Sequence, residues 1–251
     1  MPEVIIVGSG TGAPSLSRGA PCLVVATERS TVLIDSGPGA VRELLKNRFT
    51  YLDPDILLYT HTHPDHVADL VPFLFACKYA EPVRGKDLLC VGGPGFRDYF
   101  EKLRSLYGPW IEPGSYHLTI QETSQFPLDF RDLKISSEPM AHLPGSVGYR
   151  IEFATGQCMA VSGDTAYCAN LVELASGVDL LVLECSFPEG MKVEGHLTPS
   201  LAGRIAVESK CRRLALTHLY PVCALFDVVA QCREVFEGEV ILAEDGLRIR
   251  L

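Results

Sequence analysis

The chain has 251 residues, 47% of them apolar, which is enough for one large core and argues against wholesale disorder. With 22 Lys and Arg against 31 Asp and Glu its net charge is −9, so a broad nucleic-acid-binding surface, which needs clustered cations, is not expected. Nine scattered cysteines without a Cys-x-x-Cys pair read as reduced thiols of a cytoplasmic protein, and no apolar run approaches the length of a membrane span.

In chain order, Val4 to Val7 reads as a buried strand rather than a signal peptide, since no basic region precedes it. Gly8-Ser9-Gly10-Thr11-Gly12-Ala13 follows and fits a dinucleotide fingerprint in its G-x-G-x-x-A form. That fingerprint requires a helix to begin among the glycines, whereas Pro14, Gly19 and Pro21 interrupt the next turns. The expected structure is therefore a glycine loop between strands. Cys22–Ala26 and Thr31–Ile34 form a hairpin pattern, broken by Asp35-Ser36-Gly37-Pro38-Gly39. A helix from about Ala40 to Asn47 leads to the strand Asp55–Tyr59.

That strand empties into His61-Thr62-His63-Pro64-Asp65-His66, three imidazoles and a carboxylate in six residues. Such a cluster is hard to explain as packing and points to metal binding. A His-x-His pair in extended geometry aims both rings to one side. Asp65 and His66 lie beyond a proline that turns the chain, so they face a neighbouring point. Two metals roughly 3.5–4 Å apart would suit that arrangement. Asp65 and His66 are expected to begin a helix with Val67, Leu70, Val71 and Leu74 on its apolar face.

Further on come a strand at Leu88–Val91, a helix at Phe96–Leu106, and a β-rich stretch. Its segments are Tyr116–Gln121, Phe126–Phe130, Leu133–Pro139, Val147–Phe153 and Gln157–Val161. A helix near Tyr167–Ala175 precedes the strand Val178–Leu183, and a helix at Pro199–Ser209 precedes the strand Arg213–Thr217. Helix Phe226–Phe236 and strands Glu239–Leu242 and Leu247–Arg250 close the chain. Strands dominate the first two-thirds and helices alternate with strands later, which fits two packed sheets with helices outside better than one parallel sheet. His142, Asp164 and His218 each follow a strand-like run, where a rigid scaffold converges ligands from distant parts of a chain.

The six-residue cluster resembles the H-x-H-x-D-H signature of the metallo-β-lactamase superfamily. Other pieces resemble its ribonuclease Z branch: Gly10-Thr11-Gly12-Ala13-Pro14 with Ser17-Arg18, Ile34-Asp35-Ser36-Gly37-Pro38-Gly39, and Val91-Gly92-Gly93-Pro94-Gly95. So do His142 with Gly148-Tyr149-Arg150, Ser162-Gly163-Asp164-Thr165, Gly195-His196-Leu197-Thr198, Thr217-His218 and Ala243-Glu244-Asp245-Gly246. The matches run in order along the whole chain. The resemblance implies an α/β protein, one four-layer αββα sandwich domain over 1–251, with a two-zinc site at one edge. By position, His61, His63 and His142 would hold one metal, Asp65, His66 and His218 the other, with Asp164 bridging. A nitrogen- and oxygen-rich donor set suits Zn²⁺, with Mn²⁺ or Fe²⁺ as substitutes.

The chemistry so implied is attack by a hydroxide made from a water bridging two cations. Asp65 would orient or deprotonate that water, and His196 is the candidate acid for the leaving oxygen, against a bland reading as a helix-entry residue. His117 is read as structural, and Glu184 and Cys185 as outlying residues that could support the ligands. Ribonuclease Z enzymes that mature tRNA resemble this chain but carry a long basic arm between the ligands matching His142 and Asp164. Here only Leu143 to Gly163 intervene. Three readings stay open: a phosphodiesterase acting on RNA ends or small or cyclic phosphodiesters, a lactone or thioester hydrolase, and a non-catalytic metal-binding protein. A homodimer is expected only because such relatives commonly form one.

Overall fold

A computed structural model describes residues 1–251. Seven strands form the first sheet in the spatial order β14-β1-β2-β3-β4-β5-β6. They are β1 (Glu3–Gly8), β2 (Cys22–Ala26), β3 (Thr31–Ile34), β4 (Ile56–Tyr59), β5 (Leu88–Gly92), β6 (Leu118–Glu122) and β14 (Leu247–Arg250). The second sheet runs β13-β12-β11-β10-β9-β8-β7. Its members are β7 (Leu128–Phe130), β8 (Leu133–Pro139), β9 (Val147–Phe153), β10 (Cys158–Val161), β11 (Leu180–Glu184), β12 (Arg213–Thr217) and β13 (Glu239–Leu242). Each sheet has three antiparallel neighbour pairs on one side and three parallel ones on the other.

The alternation of side chains along each strand builds the layers. In β1, Val4 and Ile6 face the second sheet in a core shared with Ile135, Tyr149, Ile151, Met159 and Val182. Ile5 and Val7 face the other way, against α1 (Ala40–Lys46), α3 (Leu70–Tyr79) and α4 (Phe96–Tyr107). On the far side Leu181, Leu183, Leu214 and Leu216 pack against α5 (Ala169–Leu174), α6 (Pro199–Ser209) and α7 (Val228–Arg233). This is the αββα sandwich.

Three differences from the expected elements have local causes. The helix expected from Asp65 is two: α2 (Pro64–Val67) and α3, separated at Ala68-Asp69. The Asp69 carboxylate accepts from Gly39 N (3.0 Å) and Val41 N (2.9 Å), and its own N–H donates to Ser36 O. Those long-range bonds turn the chain. The last helix starts at Val228 rather than Phe226 because the Asp227 carboxylate accepts from Ala230 N, an N-cap. Helices also alternate with β3, β4 and β5 in the first half, which the strand-dominated reading of that half understated. The glycine stretch after β1 is a loop with no helix before β2, as its prolines indicate. Gly8 has no room for a side chain there, since a Cβ would lie 1.9 Å from Ala20 O. No helix is long and apolar enough to cross a membrane.

Candidate metal centre

Strands β3, β4, β10, β11 and β12 end at one edge of the sandwich, and the chemistry-bearing residues follow those ends: Asp35, His61, Asp164, Glu184 and His218. His142 follows β8 at the same edge, and His63 precedes Pro64, which keeps its backbone extended while α2 begins. Two residues pay a backbone penalty here, Asp35 (φ 57°) and His218 (φ 56°), both in the left-handed region that non-glycine residues seldom adopt.

The side chains gather into three overlapping groups. Donor atoms of His61, His63, His142 and Asp164 all lie within 4.8 Å of one another; so do those of Asp65, His66 and His218, and those of Asp164, His196 and His218. Asp164 therefore sits between the first two groups. His117 stands outside them.

Hydrogen bonds at the far side of each ring set its tautomer. His66 Nδ1 donates to Asp35 Oδ2 (2.7 Å), and His218 Nδ1 donates to Ser186 Oγ (2.9 Å). Thr60 Oγ1 gives its hydrogen to Asp35 Oδ2 and so accepts from His61 Nδ1 at 3.1 Å. His142 Nδ1 donates to Gly195 O (3.2 Å). In its neutral form each of these rings is left with a bare Nε2 facing inward.

Those lone pairs meet. His66 Nε2 and His218 Nε2 are 3.3 Å apart, and Asp164 Oδ1 is 3.3 and 3.2 Å from them. His61 Nε2 and His142 Nε2 lie 3.0 and 3.2 Å from His63 Nδ1. Asp164 Oδ1 is buried and has no hydrogen-bond partner. Acceptors converging on acceptors, with an orphaned carboxylate oxygen among them, are repulsive unless a cation lies between. The donor set of imidazole nitrogens and carboxylate oxygens fits zinc or a similar divalent ion.

Protonation follows the same pattern. Burial, then the His66 charge, push His61 down to about 2, and burial lowers His142, so both rings are neutral. Burial would raise the Asp164 carboxyl, but His218 and His66 beside it hold it well below the ordinary range. Burial would raise the Asp65 carboxyl as well, but the adjacent His218 and His66 rings hold it low, His218 Nε2 lying 3.7 Å from Asp65 Oδ2. Its Oδ2 accepts from Gly12 N at 2.8 Å. Burial lowers His66 too, but Asp164 and Asp35 outweigh it and push that ring up, so a cation at His66 Nε2 competes with a proton.

His196 belongs to the same edge through a residue the sequence reading set aside. Glu184, 1% exposed, accepts His196 Nδ1 at Oε1 (3.0 Å). Although burial opposes it, this bond raises the His196 pKa above its ordinary value. Asp35, which the sequence offers as a chain breaker and as part of a family-like motif without a role, orients both His66 and Thr60. The signal for both was available: each is a lone acid at the end of a buried apolar strand, a costly place for a charge without partners. Beside His61 and Thr62 a cleft of about 260 Å³ opens, walled by Gly93 to Gly95, Tyr99, Lys102 and Pro144-Gly145.

Comparison with known proteins places this geometry. The model of the beta-lactamase superfamily domain matches residues 30–219. A Mycobacterium tuberculosis protein is 31% identical over 97% of this chain and 89% of its own length. Ribonuclease Z of Salinispora arenicola is 28% identical over 98% of this chain and 95% of its own. Among solved structures, the metallo-beta-lactamase fold protein YhfI from Bacillus subtilis superposes with a TM-score of 0.86 at 23% identity, covering 99% of this chain and 98% of that one. The short form of human tRNase Z gives 0.80, also at 23% identity, covering 99% and 98%.

Proposed function

Because the chain belongs to the beta-lactamase superfamily, we propose that it is a metal-dependent hydrolase, specifically a two-zinc phosphodiesterase resembling ribonuclease Z. One observation carries the reading: Asp164, a buried carboxylate with an unpartnered oxygen, lies between two clusters of inward-facing donors. His61, His63 and His142 would hold one ion, Asp65, His66 and His218 the other, and Asp164 would serve both. When bound, two such ions supply a water acidic enough to ionise near neutral pH and offset charge gathering on a phosphoryl group.

The chain's own residues do the rest. Asp65 is fixed by Gly12 N and held ionised, so it accepts from the attacking water and orients or deprotonates it. A Cβ on Gly12 would come within 3.2 Å of Asp65 Cβ, so glycine there sets how closely the loop supports the carboxylate. His196 keeps its Nδ1 hydrogen on Glu184, which leaves Nε2 to carry a proton to the leaving oxygen. Glu184 stabilises the protonated ring, so His196 remains an acid at higher pH than a free imidazole.

Substrate size follows from two features. The span from His142 to Asp164 is filled by β9, a turn and β10, with no basic arm. The cleft beside His61, at about 260 Å³, suits a small or single-stranded group. The substrate class proposed is an RNA 3′ end or a small or cyclic phosphodiester. Purified protein with Zn²⁺ or Mn²⁺ is expected to hydrolyse a bis-aryl phosphate, and His61→Ala should abolish turnover. Hydrolysis of lactones or thioesters with no phosphodiester turnover would contradict the proposal.

A further inference from the structure

The segment from Ser186 to His196 links β11 to α6 and carries the proposed acid. Residues 189–194 are exposed and lie in no helix or strand, and Gly190 and Gly195 both have φ of 81°. Its middle is tied to the neighbouring helices at Glu189, whose carboxylate accepts from Ser200 N (2.7 Å) and whose N–H donates to Gln231 Oε1 (3.3 Å). Its two ends are each gripped by a ring from a different half of the metal centre.

At one end, Ser186 is completely buried, and its hydroxyl meets three groups. It donates its single hydrogen to Glu184 Oε2 at 2.6 Å, so it must accept from His218 Nδ1 at 2.9 Å. His196 Nδ1 lies 3.2 Å from the same oxygen. Glu184 in turn accepts from Thr165 N (2.8 Å), Ser186 N (3.2 Å) and Leu197 N (3.2 Å) as well as from His196. That number of donors fixes Glu184 as a carboxylate and fixes which way the serine hydrogen points. At the other end, Gly195 O accepts from His142 Nδ1, and a Cβ on Gly195 would sit 3.0 Å from that nitrogen. Only glycine allows this close approach at this backbone angle.

Resting on the metal assignments above, we infer that Ser186 is a positioning residue that couples metal occupancy to the placement of His196. Its hydroxyl holds His218 in the tautomer that leaves Nε2 bare, and hands the same constraint to the carboxylate that orients the acid. An ion that fixes His218 therefore steadies Ser186, Glu184 and His196 together, while an ion that fixes His142 steadies Gly195, the residue before His196. The acid-bearing segment is thus held in its working position by the loaded centre.

The test uses the full chain and Zn²⁺ alone, read by chelator-competition titration and by backbone hydrogen exchange, neither of which requires turnover. Wild-type protein should take up two ions and show slower exchange across residues 187–195 on loading. Ser186→Ala should bind one of the two ions about 10–100-fold more weakly, the scale for loss of a ligand's outer hydrogen bond, and gain segment protection only at correspondingly higher zinc. Ser186→Thr, which keeps a hydroxyl, should behave as wild type. Should Ser186→Ala not fold, Glu184→Gln removes the acceptor that orients the hydroxyl and is expected to weaken the same ion. Wild type binding two ions, with Ser186→Ala and Glu184→Gln matching it in affinity and protection, would overturn the coupling alone. Wild type binding fewer than two ions would overturn the two-metal reading beneath it.

Discussion

Asp35→Asn isolates the tautomer argument. Asp35 Oδ1 accepts from Thr60 N (2.8 Å), while Oδ2 accepts from both Thr60 Oγ1 (2.8 Å) and His66 Nδ1 (2.7 Å). An amide that keeps its oxygen on Thr60 N turns an NH₂ group towards the other two. Thr60 can respond by accepting, but His66 must move its proton from Nδ1 to Nε2, where it blocks the inward lone pair. Metal binding at the Asp65–His66–His218 position should then weaken about 10–100-fold, or about 1.4–2.8 kcal/mol. The fold should lose roughly 1–3 kcal/mol as charge-assisted bonds are replaced by neutral ones in a buried site. Chelator-competition titration with Zn²⁺ reads the first quantity, and the urea midpoint of metal-free protein at unchanged slope reads the second. A folded Asp35→Asn protein that binds its second ion like wild type would refute the reasoning, because His66 would then not depend on Asp35 for its proton.

His196→Ala should lower kcat by about 10²–10⁴-fold for an alkyl leaving group, with much less loss for nitrophenolate, which leaves without a proton; equal losses would remove His196 from the acid role. Since Glu184 raises the His196 pKa, wild-type activity should fall as pH climbs through that raised value, and Glu184→Gln should move this limb to lower pH; an unmoved limb in the pH profile would contradict the pairing. Gly93→Ala places a Cβ 1.9 Å from Gly145 O, backbone against backbone beside the His142 loop, and should cost about 1–3 kcal/mol in chemical denaturation; wild-type stability would show that the two loops part easily. A gel shift with tRNA should show no tight complex, and tight, salt-sensitive binding would contradict the small-substrate reading.

The sandwich could be read from the order of its strands and helices together with the family resemblance of its motifs, and the Cys22–Ala26 and Thr31–Ile34 hairpin is present with those boundaries. The break between α2 and α3 was hidden, since it depends on Asp69 reaching Gly39 and Val41, 30 and 28 residues away. The proposed ligands stood out as histidines at strand ends, a residue type with few other reasons to cluster. Asp35 and Glu184 could be noticed as lone acids ending apolar strands, and Glu184 as a residue able to support the ligands, but the ring each one touches is set only by folding. Ser186 carried no signal at all: a small buried polar residue acquires its role only when β11 and β12 pair in parallel and bring His218 alongside.

Asp164 standing between two metal positions is tested most directly by zinc stoichiometry. Zinc retained per chain after gel filtration should be two for wild type and fewer than two for Asp164→Ala, with phosphodiester turnover lost in the variant. Two tightly held ions in a folded Asp164→Ala protein, or fewer than two in wild type loaded with zinc, would contradict it.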